Sequence, residues 1–202
     1  MPDALDVVRG QLEASADLLR LTAERCAEDI ARAAALMAEC FRAGGRLYLC
    51  GNGGSAAQCQ HLAAEFVNRL NRGRERPALP AVALTADTAT LTAIGNDWGF
   101  EQVFARQVEA LGRRGDVLLA ITTSGESSNL LAALRRARDL GLHTILIGGL
   151  DGRARTLADV AVLVPARDTP LIQEAHGAIL HALCRVTEGL LGSASHRDRG
   201  PA

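Results

Sequence analysis

Arg46-Leu-Tyr-Leu-Cys-Gly-Asn-Gly-Gly-Ser55 is the stretch on which the fold of this chain turns. Leu47, Tyr48, Leu49 and Cys50 form a short apolar run bounded by glycines and read as a buried strand, whereas the run from Ala56 to about Leu70 has helical periodicity. A strand therefore feeds a glycine-rich loop, and the loop feeds a helix. Gly51, Gly53 and Gly54 let main-chain N–H groups approach a ligand closely. At a helix start those donors and the helix dipole favour an anion, usually a phosphate. Ser55 stands where an N-cap belongs, its hydroxyl available to the helix or to a ligand. The loop fits neither the dinucleotide fingerprint nor a P-loop, and taken alone it reads more readily as a tight turn than as a phosphate site.

Outward from this unit the pattern repeats. Towards the N-terminus, residues 3–43 read as helix, capped by Asp3, stopped by Gly44-Gly45 and broken near Leu21 and Thr22. Its apolar positions recur at three- and four-residue steps over more length than one sheet face needs, so part of it is expected to pack on another subunit. Towards the C-terminus, strands are expected at Pro80–Thr85, Val117–Ile121, His143–Ile147 and Val160–Val164. Between them come helical runs at Thr88–Ile94, capped by Asp87, at Phe100–Leu111, after the Thr122–Ser128 loop to Leu140, and a short turn at Arg153–Ala158. Gly95-Asn-Asp-Trp-Gly99 reads as a break, and a last helix runs from a Thr169 cap with Pro170 in its first turn to about Leu191. Alternating elements and doubly apolar strands predict an α/β fold: a parallel five-stranded sheet flanked by helices, with a long N-terminal helical segment. Residues 1–192 form one domain, and the polar segment 193–202 reads as a flexible tail.

Composition agrees. The 202 residues are 48% hydrophobic and 22% charged, with 22 basic and 23 acidic side chains interspersed to a net charge of -1. That balance argues against a nucleic acid partner. Arg72, Arg74 and Arg76 sit among loop residues and read as a solvated turn. The five cysteines lack a CxxC pair and read as buried reduced thiols. With no secretory signal and no apolar stretch near the ~20 residues of a membrane span, a cytoplasmic protein that does not enter a membrane is expected.

Chemistry gathers in the loops beyond the strand ends, where open α/β sheets bind ligands. Thr122-Thr-Ser-Gly-Glu-Ser-Ser128 supplies five hydroxyls in seven residues, more than a helix cap uses, and favours phosphate. Glu126 would have to point away from it. His61 and Glu65 lie four residues apart on one helix face, and Gln173, Glu174, His176 and His181 fall on nearby turns of the last helix. Such a set could bind zinc, act as an acid–base pair, or be surface and core polar residues. Asn96-Asp97 could hold sugar hydroxyls or simply form a turn.

Together, Cys50-Gly-Asn-Gly-Gly-Ser55, His61 with Glu65, Thr92–Phe100, Gly115–Gly125 and Ile172-Gln-Glu-Ala-His176 with His181 resemble the phosphoheptose isomerases. These are the sedoheptulose 7-phosphate isomerase branch of the sugar isomerase (SIS) domain family, and the resemblance runs from about residue 5 to 191. It implies a flavodoxin-like three-layer sandwich, a homotetramer with active sites at subunit contacts, and a role in heptose supply for lipopolysaccharide or other glycoconjugates. By that resemblance Asn52, Gly53, Gly54, Ser55, Glu65, Asn96, Asp97, Thr122, Thr123, Ser124, Ser127 and Gln173 line the substrate site. Zinc would be held by residues matching His61, Glu65, Gln173 and His181, and Glu65 and His181 match the acid–base pair. The chain departs from the pattern with Thr122 where Ser is common, Glu126 where Asn is frequent, and Leu171 where an arginine often precedes Ile-Gln-Glu. Two alternatives stand beside this reading: a non-catalytic SIS regulator resembling the replication initiator-associating protein, and an isomerase for another sugar phosphate.

Overall fold

A computed structural model describes residues 3–70 and 75–195. Its elements run α1 (Ala4–Arg42), β1 (Leu47–Gly51), α2 (Gly54–Val67), β2 (Ala81–Ala83), α3 (Thr88–Trp98), α4 (Ala105–Leu111), β3 (Val117–Thr122), α5 (Ser128–Leu140), β4 (His143–Gly148), β5 (Val160–Leu163) and α6 (Thr169–Ser195). Short 3₁₀ turns cover Phe100–Gln102 and Arg153–Leu157. All strand pairs are parallel, in the order β2-β1-β3-β4-β5.

Side-chain alternation explains the three layers. Leu47, Leu49, Val117, Leu119, Ile121, Ile145 and Ile147 face one side and pack with Met37 of α1, Leu62 and Phe66 of α2, and Ile179 and Leu183 of α6. Tyr48, Cys50, Leu118, Ala120 and Leu146 face the other and pack with Val108 of α4 and Leu130, Leu134 and Ala137 of α5. Every residue of β1 and β3 is buried, so their sequences are continuous apolar runs. The strand order reverses between β1 and β3, and their register sets Gly51 opposite Ile121. The loops that follow these two strands therefore emerge side by side, at the place where such sheets bind ligands.

The structure corrects several sequence expectations. Helix α1 is unbroken through Leu21 and Thr22, since neither Gly nor Pro interrupts the i→i−4 ladder there and Thr22 is buried against the core. Helix α3 continues through Gly95, Asn96 and Asp97 to Trp98, because one glycine costs a helix interior only about 1 kcal/mol. Edge strand β2 is shorter than Pro80–Thr85. Asp168, not Thr169, caps α6: its carboxylate accepts from the Leu171 N–H at 3.1 Å. That helix runs past Leu191 to Ser195, so the first three residues of the expected tail are helical, while 196–202 lie outside the described residues. Arg72 and Arg74 also lie outside them, but Arg76 is no solvated turn residue: its side chain is 11% exposed and paired with Glu188. All five cysteines are free and buried, as expected. Among the described residues no helix is long and apolar enough to cross a membrane.

Candidate active site

Two helix starts and the loops before them enclose a cavity of about 80 Å³, lined by Asn52, Ser55, Ile121, Thr122, Thr123, Ser124, Ser127, Leu130 and Gln173. That is room for several waters, hence for a phosphate group. Seven of the twelve residues expected to bind substrate line it. A Cβ at Gly54 would come within 2.7 Å of the Gln173 amide nitrogen, so the bare backbone there gives the Gln173 side chain room to lie against the start of α2.

The hydroxyls are available to a ligand. No side chain caps α2 or α5, in contrast to α1 and α3, whose Asp3 and Asp87 carboxylates accept from backbone N–H groups. Ser55 is not the cap that its position promised: Gly53 takes that place, and Ser55 lies in the first turn with its side chain on the cavity. Ser127 stands at the cap of α5 without bonding its backbone. Thr122 Oγ1 accepts from the Gly125 N–H and Ser124 Oγ from the Glu126 N–H, which shapes the loop and leaves each hydroxyl proton to donate. Glu126 turns away, as expected. Its carboxylate takes Arg153 Nε at 2.6 Å and the Arg153 N–H at 2.8 Å, and these bonds hold it below the ordinary carboxylate range.

Helices α2 and α6 lead away from this cavity together, pinned by Gln58 Nε2 donating to the Gln173 carbonyl at 2.8 Å. At 1.5 Å per residue, His61 lies about 9 Å and Glu65 about 15 Å along α2 from Ser55, and His181 about 12 Å along α6 from Gln173. There the side chains meet. His61 Nε2 and His181 Nε2 are 2.9 Å apart, and His61 Nδ1 is 3.9 Å from Glu65 Oε1. Glu65 Oε2 is buried without a hydrogen-bond partner. Thus Glu65 and His181, from distant parts of the chain, both lie beside His61.

Other expected residues go elsewhere. Asn96 and Asp97 are exposed on α3, hydrogen-bond one another at 2.7 Å and do not line the cavity. Glu174 bonds Ser15 and Gln11 of α1, and His176 is fully buried beneath the helix. One residue escaped the sequence reading: buried Asn129 of α5 exchanges two amide hydrogen bonds with Asn52, at 3.0 and 2.9 Å.

Two imidazoles and a carboxylate with an unpaired oxygen are donors of the kind zinc takes, whereas the Gln173 amide lies against Gly54, about two turns back along α6. Among the described residues, no three His, Cys, Asp or Glu side chains converge as a metal group. The imidazoles instead stand at hydrogen-bond distance.

Comparison with known proteins fixes the class first. A family model for the SIS domain matches residues 12–149, which take in β1 to β4 and both hydroxyl loops, so this is a SIS-domain protein. Phosphoheptose isomerases from Roseiflexus sp. (strain RS-1) and Helicobacter pylori (strain P12) are 50% and 44% identical to the chain over 182 and 184 residues, covering 90% and 91% of it and 91% and 95% of themselves. Solved phosphoheptose isomerases from Neisseria gonorrhoeae and Francisella tularensis superpose with TM-scores of 0.87 and 0.88 at 40% identity, covering 93% of this chain and 100% and 99% of theirs. The chain belongs to the phosphoheptose isomerase family.

Proposed function

We infer that this protein is an aldose–ketose isomerase that converts sedoheptulose 7-phosphate to D-glycero-D-manno-heptose 7-phosphate through an enediol. One observation carries the reading beyond family membership: Glu65 and the His61–His181 pair stand about two to three helical turns from a hydroxyl-lined cavity that suits the phosphate. That spacing lets one end of a seven-carbon sugar be anchored while the other reacts.

Moving hydrogen between C1 and C2 needs a base at carbon and an acid at oxygen. Glu65 takes the proton from C1 as His181 protonates the C2 carbonyl oxygen, giving the enediol. Glu65 then returns the proton to C2 while His181 removes the one on O1, leaving the aldehyde. His61 Nε2, within hydrogen-bond distance of His181 Nε2, can orient that ring, while its Nδ1 stands 3.9 Å from Glu65 Oε1, beside the carboxylate. The phosphate contacts add binding energy remote from the reacting carbons.

Zinc held by His61, Glu65, Gln173 and His181 is part of the proposal, supported by the unpaired Glu65 Oε2 and by the donor chemistry. Bound there, it would polarise the sugar oxygens. Glu65 has two oxygens, so holding a cation through one leaves the other for a proton. A homotetramer is supported by Leu5, Val8 and Leu12, 56–66% exposed along the first turns of α1. Subunit contacts would also give the exposed Asn96 and Asp97 a neighbouring site to complete. Five free thiols suit the cytoplasm, and heptose supply for glycoconjugates is the corresponding role.

The test is turnover of five-, six- and seven-carbon ketose phosphates, with aldose formation followed by NMR. The highest kcat/KM is expected for the seven-carbon substrate, and Glu65→Gln should lower its kcat by about 10²–10⁴ without changing Tm. Absence of turnover by the parent protein, with and without zinc, would leave a binding module; a preference for a shorter sugar would replace the substrate.

A further inference from the structure

At the Glu65 end of α2 lies a second, largely buried arrangement of charge. Arg76 Nε meets Glu188 Oε1 at 2.6 Å, with side chains only 11% and 2% exposed. The guanidinium also donates from Nη2 to the backbone carbonyl of Glu65 at 2.8 Å, and from Nη1 to those of Phe66 at 2.8 Å and Pro77 at 3.0 Å. Those first two carbonyls belong to the last turn of α2, where the helix has no partners of its own to offer. Glu188 stands seven residues beyond His181 on α6, two turns along the same stripe. The Cys184 thiol, between them, lies 3.8 Å from Glu188 Oε1 and is pushed up to about 12 by burial and then by the Glu188 carboxylate, so it serves as a neutral donor.

One guanidinium thus holds the peptide group of Glu65 and, through Glu188, the helix stripe that carries His181. The substrate cavity does not touch it. Resting on the isomerase reading above, we propose that Arg76 and Glu188 are positioning residues, which fix the separation and depth of the Glu65 carboxylate relative to the His181 imidazole. A buried ion pair is a weak source of net stability, since two desolvated charges gain little over an apolar pair of similar volume. A fixed planar fork spending its donors on two helices is instead suited to holding a spacing. Misplacement by about 1 Å costs a reaction on the order of a hundredfold in rate.

The experiment separates positioning from folding. Three variants are compared with the parent on sedoheptulose 7-phosphate, with kcat expressed per folded molecule from circular dichroism: Arg76→Lys, Arg76→Met, and the charge-free double variant Arg76→Met with Glu188→Met. Lysine keeps the charge but not the fork. The expected result is kcat lowered about ten- to a hundredfold in all three, KM within about twofold of the parent, and Tm restored in the double variant relative to Arg76→Met. Parental kcat per folded molecule in Arg76→Lys or in the double variant would overturn the proposal, as would a change confined to KM. Failure of the isomerase reading is seen separately and earlier, as no turnover by the parent.

Discussion

Asn52 and Asn129 bind each other amide to amide, each donating through Nδ2 and accepting through Oδ1, at 3.0 and 2.9 Å. Asn52 follows β1 and lines the cavity, whereas Asn129 is in the first turn of α5 and is buried. The pair joins the glycine loop to the hydroxyl loop across the switch point of the sheet, beside the cavity that the two loops line. Each amide thereby has its oxygen and one of its N–H groups paired.

Asn129→Leu should therefore act on both stability and binding. Stranding the Asn52 amide costs about 1–3 kcal/mol, read as a shift of the urea midpoint at unchanged m. With the loops unfastened, KM for the sugar phosphate should rise about tenfold while kcat stays near the parent value, because the reacting end is held by other residues. An unchanged KM in a folded variant would show that the amide pair serves the fold alone.

Ser124→Ala tests the hydroxyl loop directly. Ser124 Oγ already accepts from the Glu126 N–H, so its own proton is the one left for a phosphate oxygen. A hydrogen bond to a charged group contributes about 1.5–3 kcal/mol, so KM should rise about ten- to a hundredfold with kcat little changed. Isothermal titration with inorganic phosphate should weaken in parallel. If kcat fell and KM held, Ser124 would belong with the reacting groups.

How far the sequence could be read depends on how local each cause is. β1 and β3 are legible because both faces of each are buried, which makes their sequences unbroken apolar runs. The two helix-start loops are legible for the same reason, as glycine and hydroxyl residues crowd immediately after those strands. Arg76 is not, since its segment looks like a polar turn and its partner lies 112 residues away. Nothing in the local pattern marks Asn129, whose partner is 77 residues distant. Periodicity puts Glu65 and His181 each on a helix and leaves zinc binding, acid–base work and plain surface or core polarity all open; the pairing of the two follows from family resemblance. The continuity of α1 escaped for a different reason: over its first turns the apolar positions face outward, so one chain offers no reason for their pattern.

Zinc can be tested without turnover. A metal that binds only the folded state raises Tm with concentration. After chelation and dialysis, added zinc should raise Tm in the parent and not in His61→Ala or His181→Ala, and competition with a chromophoric chelator should give about one ion per chain. Chelation should lower activity and zinc restore it. A parent Tm indifferent to zinc would remove the metal from these residues.

The acid side of the stability curve should be governed in part by His176. It is fully buried in α6, neither ring nitrogen makes a hydrogen bond of good geometry, and burial lowers its pKa from 6.5 to about 4, the nearby Gly148 backbone offsetting this only in part. Between those values the unfolded chain holds a proton that the folded chain refuses. Unfolding is therefore favoured as pH falls below 6.5, and the stability that the neutral ring allows at pH 7 is lost progressively towards about pH 4. At about 1.4 kcal/mol per pH unit, the loss at about pH 4.5 is ~2–3 kcal/mol. His176→Leu keeps an apolar side chain of comparable reach without a proton to gain, so its urea-derived stability should fall less than the parent's between about pH 7 and pH 4.5, by that amount. Equal acid slopes in the two proteins would mean that the ring finds a proton acceptor in the folded state.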